Sequence, residues 1–369
     1  MKVLPRFRCA PRAASNSAYL CAMSPDKQDI RMASFEEITA YCAERGWQPF
    51  RARQLHAWLW QKGATSFDVM TNLSHEMRNM LQQDWEFRPL TTDVVQKSAD
   101  GTIKYRLQLY DGHKIEAVLI PVVDESRYTV CVSSQVGCSL SCAFCATGQM
   151  KRERNLDPAE IVDQVRIVDQ SARETYGHGL TNIVYMGMGE PLLNYRHVLQ
   201  SIKHITSPHG LGMSPRRITV STAGIAKAIR RLAEDKVRFN LALSLHAADD
   251  TKRTQIMPIN AQNNLEVLMD ALHTFYRQTR GRISYEYIAF QGFNDTVGDA
   301  EQLAALCKRF PVRVNIIEYN PIEGLSFVKS DEDALDRFAQ VLSREGVTVT
   351  IRRSRGKDID AACGQLANK

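Results

Sequence analysis

The densest group of reactive side chains in this chain is a run of three cysteines in the stretch QVGCSLSCAFCATG. Cys138, Cys142 and Cys145 have the spacing C-x3-C-x2-C, and the next cysteine or histidine along the chain is His178. A structural zinc site takes four ligands, whereas three thiolates on one loop suit an iron–sulfur cluster with one iron open to a small ligand. The spacing favours such a cluster, with zinc or simply buried thiols as the alternatives.

Two of the six cysteines outside this run are also candidates for chemistry. Cys131 precedes it on a strand-like segment, and Cys363 lies near the C-terminus, between small residues in the sequence AACGQ. A lone cysteine is most often a small buried apolar residue, and that reading suits Cys131. Cys363 has little to pack against and follows the basic stretch RRSRGK, which we expect to be solvated. Cys363 is therefore a candidate reactive thiol.

The segment NIVYMGMGEP could hold a ligand at the end of a strand. Glycine at Gly187 and Gly189 would let a ligand approach the backbone, and the Glu190 carboxylate could accept hydrogen bonds from an ammonium group. A tight turn between a strand and a helix would explain the same residues. At this point the sequence leaves both interpretations open.

The pattern of the chain after residue 125 predicts a scaffold for these residues. Strand-like apolar runs alternate with amphipathic helices, and the runs are YTVCVS, NIVYMGM, RITVST, FNLALSLH, ISYEYIAF and VNIIEY. This alternation predicts an α/β fold with a parallel sheet that is covered by helices. Six units rather than eight indicate a partial (βα)6 barrel, whose chemistry belongs at the C-terminal ends of the strands.

The chain divides into four parts on the same criteria. Residues 1–31 begin with a basic segment rich in Ser and Ala, typical of an organellar transit peptide or of a translated leader, and we expect them to be disordered. Residues 32–90 predict a small helical module. Residues 91–124 predict a short antiparallel β meander, because Asp-Gly pairs separate three alternating runs. Residues 125–369 contain the barrel and a C-terminal tail.

Composition excludes several classes of protein. The chain is 44% hydrophobic and 24% charged, and no run approaches the roughly 18 apolar residues that span a bilayer. Nine cysteines without a secretory signal argue against a disulfide framework and favour a reducing cytoplasm. The net charge is +6, and basic clusters such as RERN, PRR and RRSRGK are candidate phosphate contacts. Taken singly, each cluster could equally be solvated surface.

Together these segments closely resemble the RlmN/Cfr family of radical S-adenosylmethionine (SAM) RNA methyltransferases. The segments are CSLSCAFC, GMGEP, STAG, SLHA, RTQIMPIN, EYNP and AACGQL, and the resemblance runs from about Phe35 to Leu366. It implies one [4Fe-4S] cluster on Cys138, Cys142 and Cys145, and two molecules of SAM per turnover. It also implies a SAM site, lined by Gly189, Glu190, Ser221, Ser244, Leu245, His246 and Asn320.

The resemblance further implies catalytic roles for Cys363, Cys131 and Glu116. One SAM methylates Cys363, and a second SAM is cleaved to a radical that takes a hydrogen from the S-methyl group. The methylene carbon then adds to the electron-poor carbon of an adenine ring, so that one difficult step is divided by covalent catalysis. Glu116 accepts a proton, and Cys131 attacks the sulfur of Cys363, which releases the RNA and leaves a disulfide.

Substrates and partners follow from the same resemblance. The substrates are an adenosine in the peptidyl transferase centre of 23S rRNA and the adenosine 3′ of the anticodon in some tRNAs. The helical module of residues 32–90 resembles the RNA-binding accessory domain of these enzymes. Its completeness favours the RlmN type, which methylates C2, over the Cfr type, which methylates C8. A flavodoxin or ferredoxin system would donate electrons to a cytoplasmic monomer that has no membrane partner. Two other readings are a non-catalytic iron–sulfur RNA-binding protein and a zinc-binding structural protein.

Overall fold

The structure is a computed structural model, and it describes residues 27–368. The helices within this range are α1 (Phe35–Glu44), α2 (Phe50–Ala57), α3 (His75–Asp84), α4 (Pro158–Tyr176), α5 (Tyr195–Thr206), α6 (Ala226–Glu234), α7 (Asp250–Ile256), α8 (Leu265–Thr279), α9 (Val297–Cys307) and α10 (Glu332–Arg344). The strands are β1 (Gln28–Asp29), β2 (Trp85–Glu86), β3 (Thr91–Lys97), β4 (Ile103–Gln108), β5 (Lys114–Val122), β6 (Arg127–Cys131), β7 (Gln135–Val136), β8 (Arg154–Asn155), β9 (Asn182–Tyr185), β10 (Ile218–Thr222), β11 (Asn240–Ser244), β12 (Ile283–Ala289), β13 (Arg313–Glu318) and β14 (Thr348–Arg352).

Ten of these strands form one sheet, in the order β14-β13-β12-β11-β10-β9-β6-β5-β4-β3. Strand β6 and the strands β9 to β14 are parallel to one another, and helices connect them along the chain. This arrangement confirms the predicted partial barrel. The structure adds a seventh parallel strand, β14, beyond the six that were predicted. Its residues alternate between exposed and half-buried positions, so it lacks the continuous apolar run by which buried parallel strands are recognised.

The predicted meander is present as β3, β4 and β5, and it is continuous with the barrel sheet. Strand β5 pairs antiparallel with β6, and Val118 lies opposite Cys131 in this pairing. Lys104 of β4 in turn lies opposite Val118. Opposite residues, and residues two apart on one strand, project from the same face of a sheet. Glu116 therefore shares one face with Cys131 and Lys104.

The predicted helical module is present as α1, α2 and α3. A capping box between Ser34 and Glu37 begins α1, and the Ser74 hydroxyl accepts a hydrogen bond from the Met77 N–H at the start of α3. Helix α2 continues directly as a π-helical turn over Trp58–Lys62. These caps satisfy backbone N–H groups at the starts of the two helices that would otherwise lack partners.

The predicted leader differs from the structure in its last residues. Strand β1 and a 3-10 turn at Ile30–Met32 occupy the positions just before the module. Arg31 is buried and pairs with Asp29 at 2.8 Å and with Asp163 of α4 at 2.8 Å. Because the Asp163 partner is distant in sequence, local composition could not reveal this anchor. The rest of the leader prediction, residues 1–26, lies outside the described residues.

Helix α4 shows how the barrel helices bury one face against the sheet. A capping box between Asp157 and Glu160 begins it, and Gly177 ends it in the left-handed conformation. Its apolar stripe, Ile161 to Val168, packs towards β5 and β6. Within residues 27–368, no helix is long and apolar enough to cross a membrane.

Candidate active site

The three closely spaced cysteines lie on the loop that follows β6 and β7, at the end of the sheet where the parallel strands terminate. All three residues are half-buried. Burial, together with the nearby Cys145 thiol, raises the pKa of Cys138 to about 11. Burial and both neighbouring thiols likewise raise the pKa of Cys142. The three sulfur atoms therefore form one electrostatically coupled group.

Backbone N–H groups surround this group of thiols. The backbone N–H groups of Thr147 and Gly148 act to lower the pKa of Cys145, and those of Ser139 and Leu140 act to lower the pKa of Cys138, although burial raises both. A Cβ atom at Gly148 would lie 2.9 Å from the Cys142 carbonyl oxygen, so a larger residue would push this turn away. N–H donors favour the thiolate, which is the form that binds metals.

The donor set of the cysteine loop fits an iron–sulfur cluster. In the described part of the chain, no three Cys, His, Asp or Glu side chains are grouped as around a single metal ion. Three thiolates that bind three different irons of one cluster need not converge on one point, whereas the ligands of a zinc ion must. The arrangement of the three thiols is thus compatible with a cluster.

Gly189 and Glu190 follow β9 and lie beside the cysteine loop. Gly189 has a φ of +94°, and a Cβ atom there would lie 2.5 Å from the Cβ atom of Gln135. Glu190 is 3% exposed and accepts hydrogen bonds from the N–H groups of Leu192 at 3.0 Å and Ala223 at 2.8 Å. Burial raises the pKa of Glu190. Each carboxylate oxygen keeps a further lone pair for a ligand.

Ser221, Ser244, Leu245 and His246 lie at the ends of β10 and β11. The hydroxyl oxygens of Ser221 and Ser244 are 3.2 Å apart. Leu245 is buried, and its carbonyl oxygen accepts a hydrogen bond from the Arg253 Nε–H. The predicted residues of these two neighbouring strands therefore meet at one place.

His246 connects this strand end to the cysteine loop. Its φ of +58° is unusual for a residue other than glycine, and its ring lies 4.6 Å from the ring of Phe144. Burial lowers the pKa of His246 to about 3, so the ring is neutral. Because Nδ1 accepts a hydrogen bond from the Ile288 N–H, the neutral ring carries its hydrogen on Nε2 and can donate it to a ligand.

Asn320, Cys131 and Cys363 lie close to each other on the tail side of the site. The Asn320 side-chain amide donates a hydrogen bond to the Cys363 carbonyl oxygen at 3.4 Å. Cys131 is 8% exposed and Cys363 is exposed; both are free thiols in this structure. The Cys363 thiol interacts electrostatically with both Cys131 and Cys145. Cys363 therefore lies within electrostatic range of both the cysteine loop and Cys131.

Glu116 is fully buried beneath the tail. Its Oε2 accepts a hydrogen bond from the Ala367 N–H at 2.9 Å, and its Oε1 lies 3.3 Å from the Lys104 Nζ. The Lys104 contact is an ion pair without hydrogen-bond geometry, so Oε1 has no hydrogen-bond partner among the described residues. Glu116 thus combines a structural contact to the tail with one free acceptor oxygen, on the face of the sheet that carries Cys131.

The segment after Cys363 is packed against the cysteine loop, whereas the cations of RRSRGK before it are exposed, as expected. The Ala146 N–H donates a hydrogen bond to the Gly364 carbonyl at 2.7 Å, and the Thr147 hydroxyl donates to the Leu366 carbonyl at 2.6 Å. Leu366 is buried. The two hydrogen bonds attach the tail to the cysteine loop, so Cys363 is held in place while its side chain stays accessible.

The basic residues before Cys363 are ordered by one buried acid. Arg353 and Lys357 form ion pairs with Glu318, at the end of β13, at 2.7 Å and 2.8 Å. Although burial acts in the opposite direction, these cations hold the pKa of Glu318 at about 2. The partner lies far away in sequence, so the stretch RRSRGK alone could indicate only a solvated surface.

Arg253, a fully buried residue on α7, was not among the site residues predicted from the sequence. Its guanidinium donates hydrogen bonds to the carbonyl oxygens of Ala223, Ser244 and Leu245 at 2.6, 3.2 and 3.0 Å. It also donates to the Asn260 side chain at 2.7 Å. Burial lowers the pKa of Arg253 to about 10, whereas the nearby Cys142 acts in the opposite direction. The sequence RTQIMPIN gives no sign that its arginine is buried. Only the resemblance of this segment to the family could have drawn attention to Arg253.

Replacement of Arg253 by methionine is expected to lower the free energy of unfolding by about 3 kcal/mol or more, because three buried carbonyls would lose their partner. Urea denaturation followed by circular dichroism measures this loss. Arg230→Met is the matched control, since Arg230 makes an exposed ion pair with Asp270. Its replacement should lower the free energy of unfolding only slightly. Equal losses for the two variants would contradict the role of Arg253 as the anchor of the β10 and β11 ends.

Comparison with known proteins identifies relatives over nearly the whole chain. Residues 29–87 match the family described as the ribosomal RNA large subunit methyltransferase N-terminal domain, and residues 132–307 match the radical SAM superfamily. Proteins from Cytophaga hutchinsonii and Christiangramia forsetii, both named "Probable dual-specificity RNA methyltransferase RlmN", are 52% and 50% identical over 95% of this chain. The alignments cover 97% and 99% of those two proteins.

A solved structure has the same fold. The crystal structure of a radical SAM methyltransferase from Sphaerobacter thermophilus superposes with a TM-score of 0.87 and is 38% identical in sequence. The superposition covers 93% of this chain and 100% of that one.

Proposed function

Because the chain belongs to the RlmN/Cfr family of radical SAM RNA methyltransferases, we propose that it methylates C2 of adenosine in 23S rRNA and in some tRNAs. One observation carries the proposed mechanism: Cys363 is an exposed residue within electrostatic range of both Cys145 of the cysteine loop and the thiol of Cys131. A methyl carrier must reach SAM, the target base and the group that releases the product. Cys363 occupies a position that suits all three tasks.

Cys138, Cys142 and Cys145 would hold one [4Fe-4S] cluster, and the surrounding N–H groups would stabilise their thiolates. When bound, the cluster supplies the single electron that cleavage of SAM requires. A flavodoxin or ferredoxin system would deliver that electron.

The ends of the parallel strands would hold SAM. Glu190 retains lone pairs for the amino group of its methionine part, and His246 can donate its Nε2 hydrogen. The hydroxyls of Ser221 and Ser244 and the amide of Asn320 add polar groups around the same place. Two molecules of SAM would be used in each turnover, one to methylate Cys363 and one to activate the methyl group.

Cys363 would then carry the RNA as a methylene-linked adduct until Cys131 releases it. Addition of the methylene radical leaves one unpaired electron on the adenine ring, and the adduct would give up this electron to the redox system that supplied the first one. Glu116, which has a free carboxylate oxygen on the same face of the sheet, would accept the proton that leaves the adenine carbon. The Cys131 thiolate would attack the sulfur of Cys363, so that a disulfide forms and the sulfur–carbon bond breaks. The electron pair of that bond would return to the RNA, which takes up a proton to complete the methyl group.

The Cfr type of reaction, methylation at C8, is the second candidate for the same residues. The match of residues 29–87 to the N-terminal domain and the names of the relatives favour the RlmN type. Both types require an electron-poor ring carbon, so the site chemistry alone does not separate them.

Nucleoside analysis is expected to distinguish the two products. Anaerobically reconstituted enzyme is incubated with SAM, reductant and either 23S rRNA or tRNA that lacks the modification, and the digested RNA is analysed by chromatography and mass spectrometry. We expect 2-methyladenosine in both RNAs. If 8-methyladenosine is the main product, the Cfr type of reaction is correct. If no methylated adenosine forms while SAM is cleaved, the proposed RNA substrates are wrong.

A further inference from the structure

A strongly basic basin lies at the end of the barrel opposite to the candidate active site. The segments that begin β10 to β14 surround a concave space of about 1120 Å³. It is lined by the exposed cations Arg216, Lys236, Arg238, Arg280, Arg282 and Arg313. The acid that also lines the basin, Glu345, already pairs with Lys308 at 2.8 Å.

These six cations have no counterion within the described part of the chain. None of them lies within ion-pair distance of a carboxylate, whereas arginines on nearby helices do, as in the pairs Arg230 with Asp270 and Arg309 with Glu266. Like charges that share a concave surface repel each other and lower the stability of the fold. A basin of this kind is therefore favourable only when an anion occupies it.

Helix dipoles explain only part of the charge. Lys236 and Arg280 follow the C-terminal ends of α6 and α8, where a cation stabilises the helix. The other four arginines lie within two residues of the starts of β10, β11, β12 and β13, one for each strand. No feature of the fold requires a cation at the start of a parallel strand. These four charges remain to be explained by a ligand.

We propose that this basic basin binds the phosphate backbone of RNA, at a part of the substrate remote from the target adenosine. The proposal rests on the RNA methyltransferase activity of the family and is independent of the choice between C2 and C8. The aromatic residue of the basin, Tyr276, is half-buried and lies 5.4 Å from the Arg280 guanidinium, so the surface offers charge rather than a platform for stacking bases. Such contacts position an RNA without reading its sequence.

The position of the basin determines which RNA can use it. The strands between the two ends of the barrel have five to seven residues, which at about 3.3 Å per residue separates the ends by roughly 20 Å. Helices cover the outside of the sheet, so an RNA that reaches both ends must pass around them. A folded tRNA or an rRNA domain is long enough, whereas a short stem-loop that carries only the target adenosine is not.

A triple variant of the full-length enzyme with its cluster tests the basin, with Arg238→Gln, Arg282→Gln and Arg313→Gln combined. Its control combines Lys227→Gln, Arg277→Gln and Arg337→Gln, which removes the same charge from exposed residues outside the basin. Fluorescence anisotropy at several salt concentrations gives the Kd for full-length tRNA and for a short anticodon stem-loop.

We expect the basin variant to bind tRNA at least about tenfold more weakly, with a slope of log K against log salt that is smaller by about 2 to 3. Its affinity for the stem-loop, and its single-turnover methylation rate at saturating RNA, should match those of the control. Equal tRNA affinities for the two variants would overturn the proposal. Equal weakening for stem-loop and tRNA would overturn it too, because the effect would then lie at the active site.

Two further outcomes distinguish RNA binding by the basin from binding of an acidic protein and from the proposed C2 reaction. If the basin variant keeps its RNA affinity but is reduced more slowly by flavodoxin, the basin binds an acidic protein and the RNA proposal is wrong. If the wild-type enzyme forms no 2-methyladenosine while the basin variant still binds tRNA more weakly than its control, the proposed C2 reaction is wrong and the RNA site is supported.

Discussion

Cys131→Ala protein isolated from cells that contain RNA is expected to carry RNA joined covalently to Cys363, whereas Cys363→Ala protein should carry none. In the proposed mechanism Cys363 is the methyl carrier, so without it no RNA can become attached. Without Cys131 the carrier still works, and only the release of the adduct is lost. The two substitutions should therefore have opposite effects on RNA attachment, although the two thiols lie within electrostatic range of each other.

The chemical nature of the bond identifies the adduct. A thioether survives denaturation and thiol reductants, unlike a disulfide. Ribonuclease digestion followed by mass spectrometry of peptides should leave a nucleotide mass on the tail peptide that contains Cys363. Cys307→Ala is the control, because Cys307 is a half-buried thiol at the end of α9, outside the site. It should show neither an adduct nor a loss of methylation.

Two results would contradict this assignment. One is Cys131→Ala protein that contains no RNA adduct under conditions in which the wild-type enzyme methylates RNA. The other is Cys363→Ala protein that retains methyl transfer. If the two cysteines were merely structural, both variants would lose stability and neither would accumulate RNA.

Loss of any one cysteine of the loop is expected to remove the cluster and to lower the formation of 5′-deoxyadenosine from SAM by more than about 100-fold. Cys138→Ala, Cys142→Ala and Cys145→Ala are each reconstituted anaerobically with iron and sulfide. Iron content, and the sulfur-to-iron charge-transfer absorbance, report the cluster independently of the reaction. Circular dichroism should show the wild-type fold, since the thiols lie on a loop outside the sheet.

The control for the cluster is again Cys307→Ala, which should assemble the cluster and cleave SAM at the wild-type rate. A triple variant of the loop cysteines that still produced 5′-deoxyadenosine would exclude the radical reaction. A colourless protein that bound one zinc ion tightly would instead support the structural alternative.

Local patterns were sufficient to predict much of this structure. The Asp157 capping box, the Asp-Gly turns and the continuous apolar runs each depend on residues that are close in sequence. The cysteine loop was recognisable for the same reason, since its donors lie on one short segment. Placement of all these features at the C-terminal ends of parallel strands followed from the general geometry of such barrels.

Features that depend on distant residues were not predictable in this way. Glu318 orders the basic tail from another strand, and Arg253 gathers carbonyls from the ends of two strands. Strand β14 is half-exposed at the edge of the sheet, so its pattern resembled a loop. Residues that project into the basic basin come from several separate segments of the chain. In each case the decisive partner is set by the tertiary fold.

The pairing of β5 with β6 has a consequence for how the chain could be divided. A fragment that begins at residue 125 would leave β6 as an unpaired edge, with the buried residues Tyr128 and Val130 uncovered. Exposed apolar edges of this kind recruit strands from other molecules and promote aggregation. The meander therefore acts as an edge protector for the catalytic barrel. Any attempt to produce the barrel alone, or to exchange the N-terminal module between relatives, should keep residues 91–124 with the barrel.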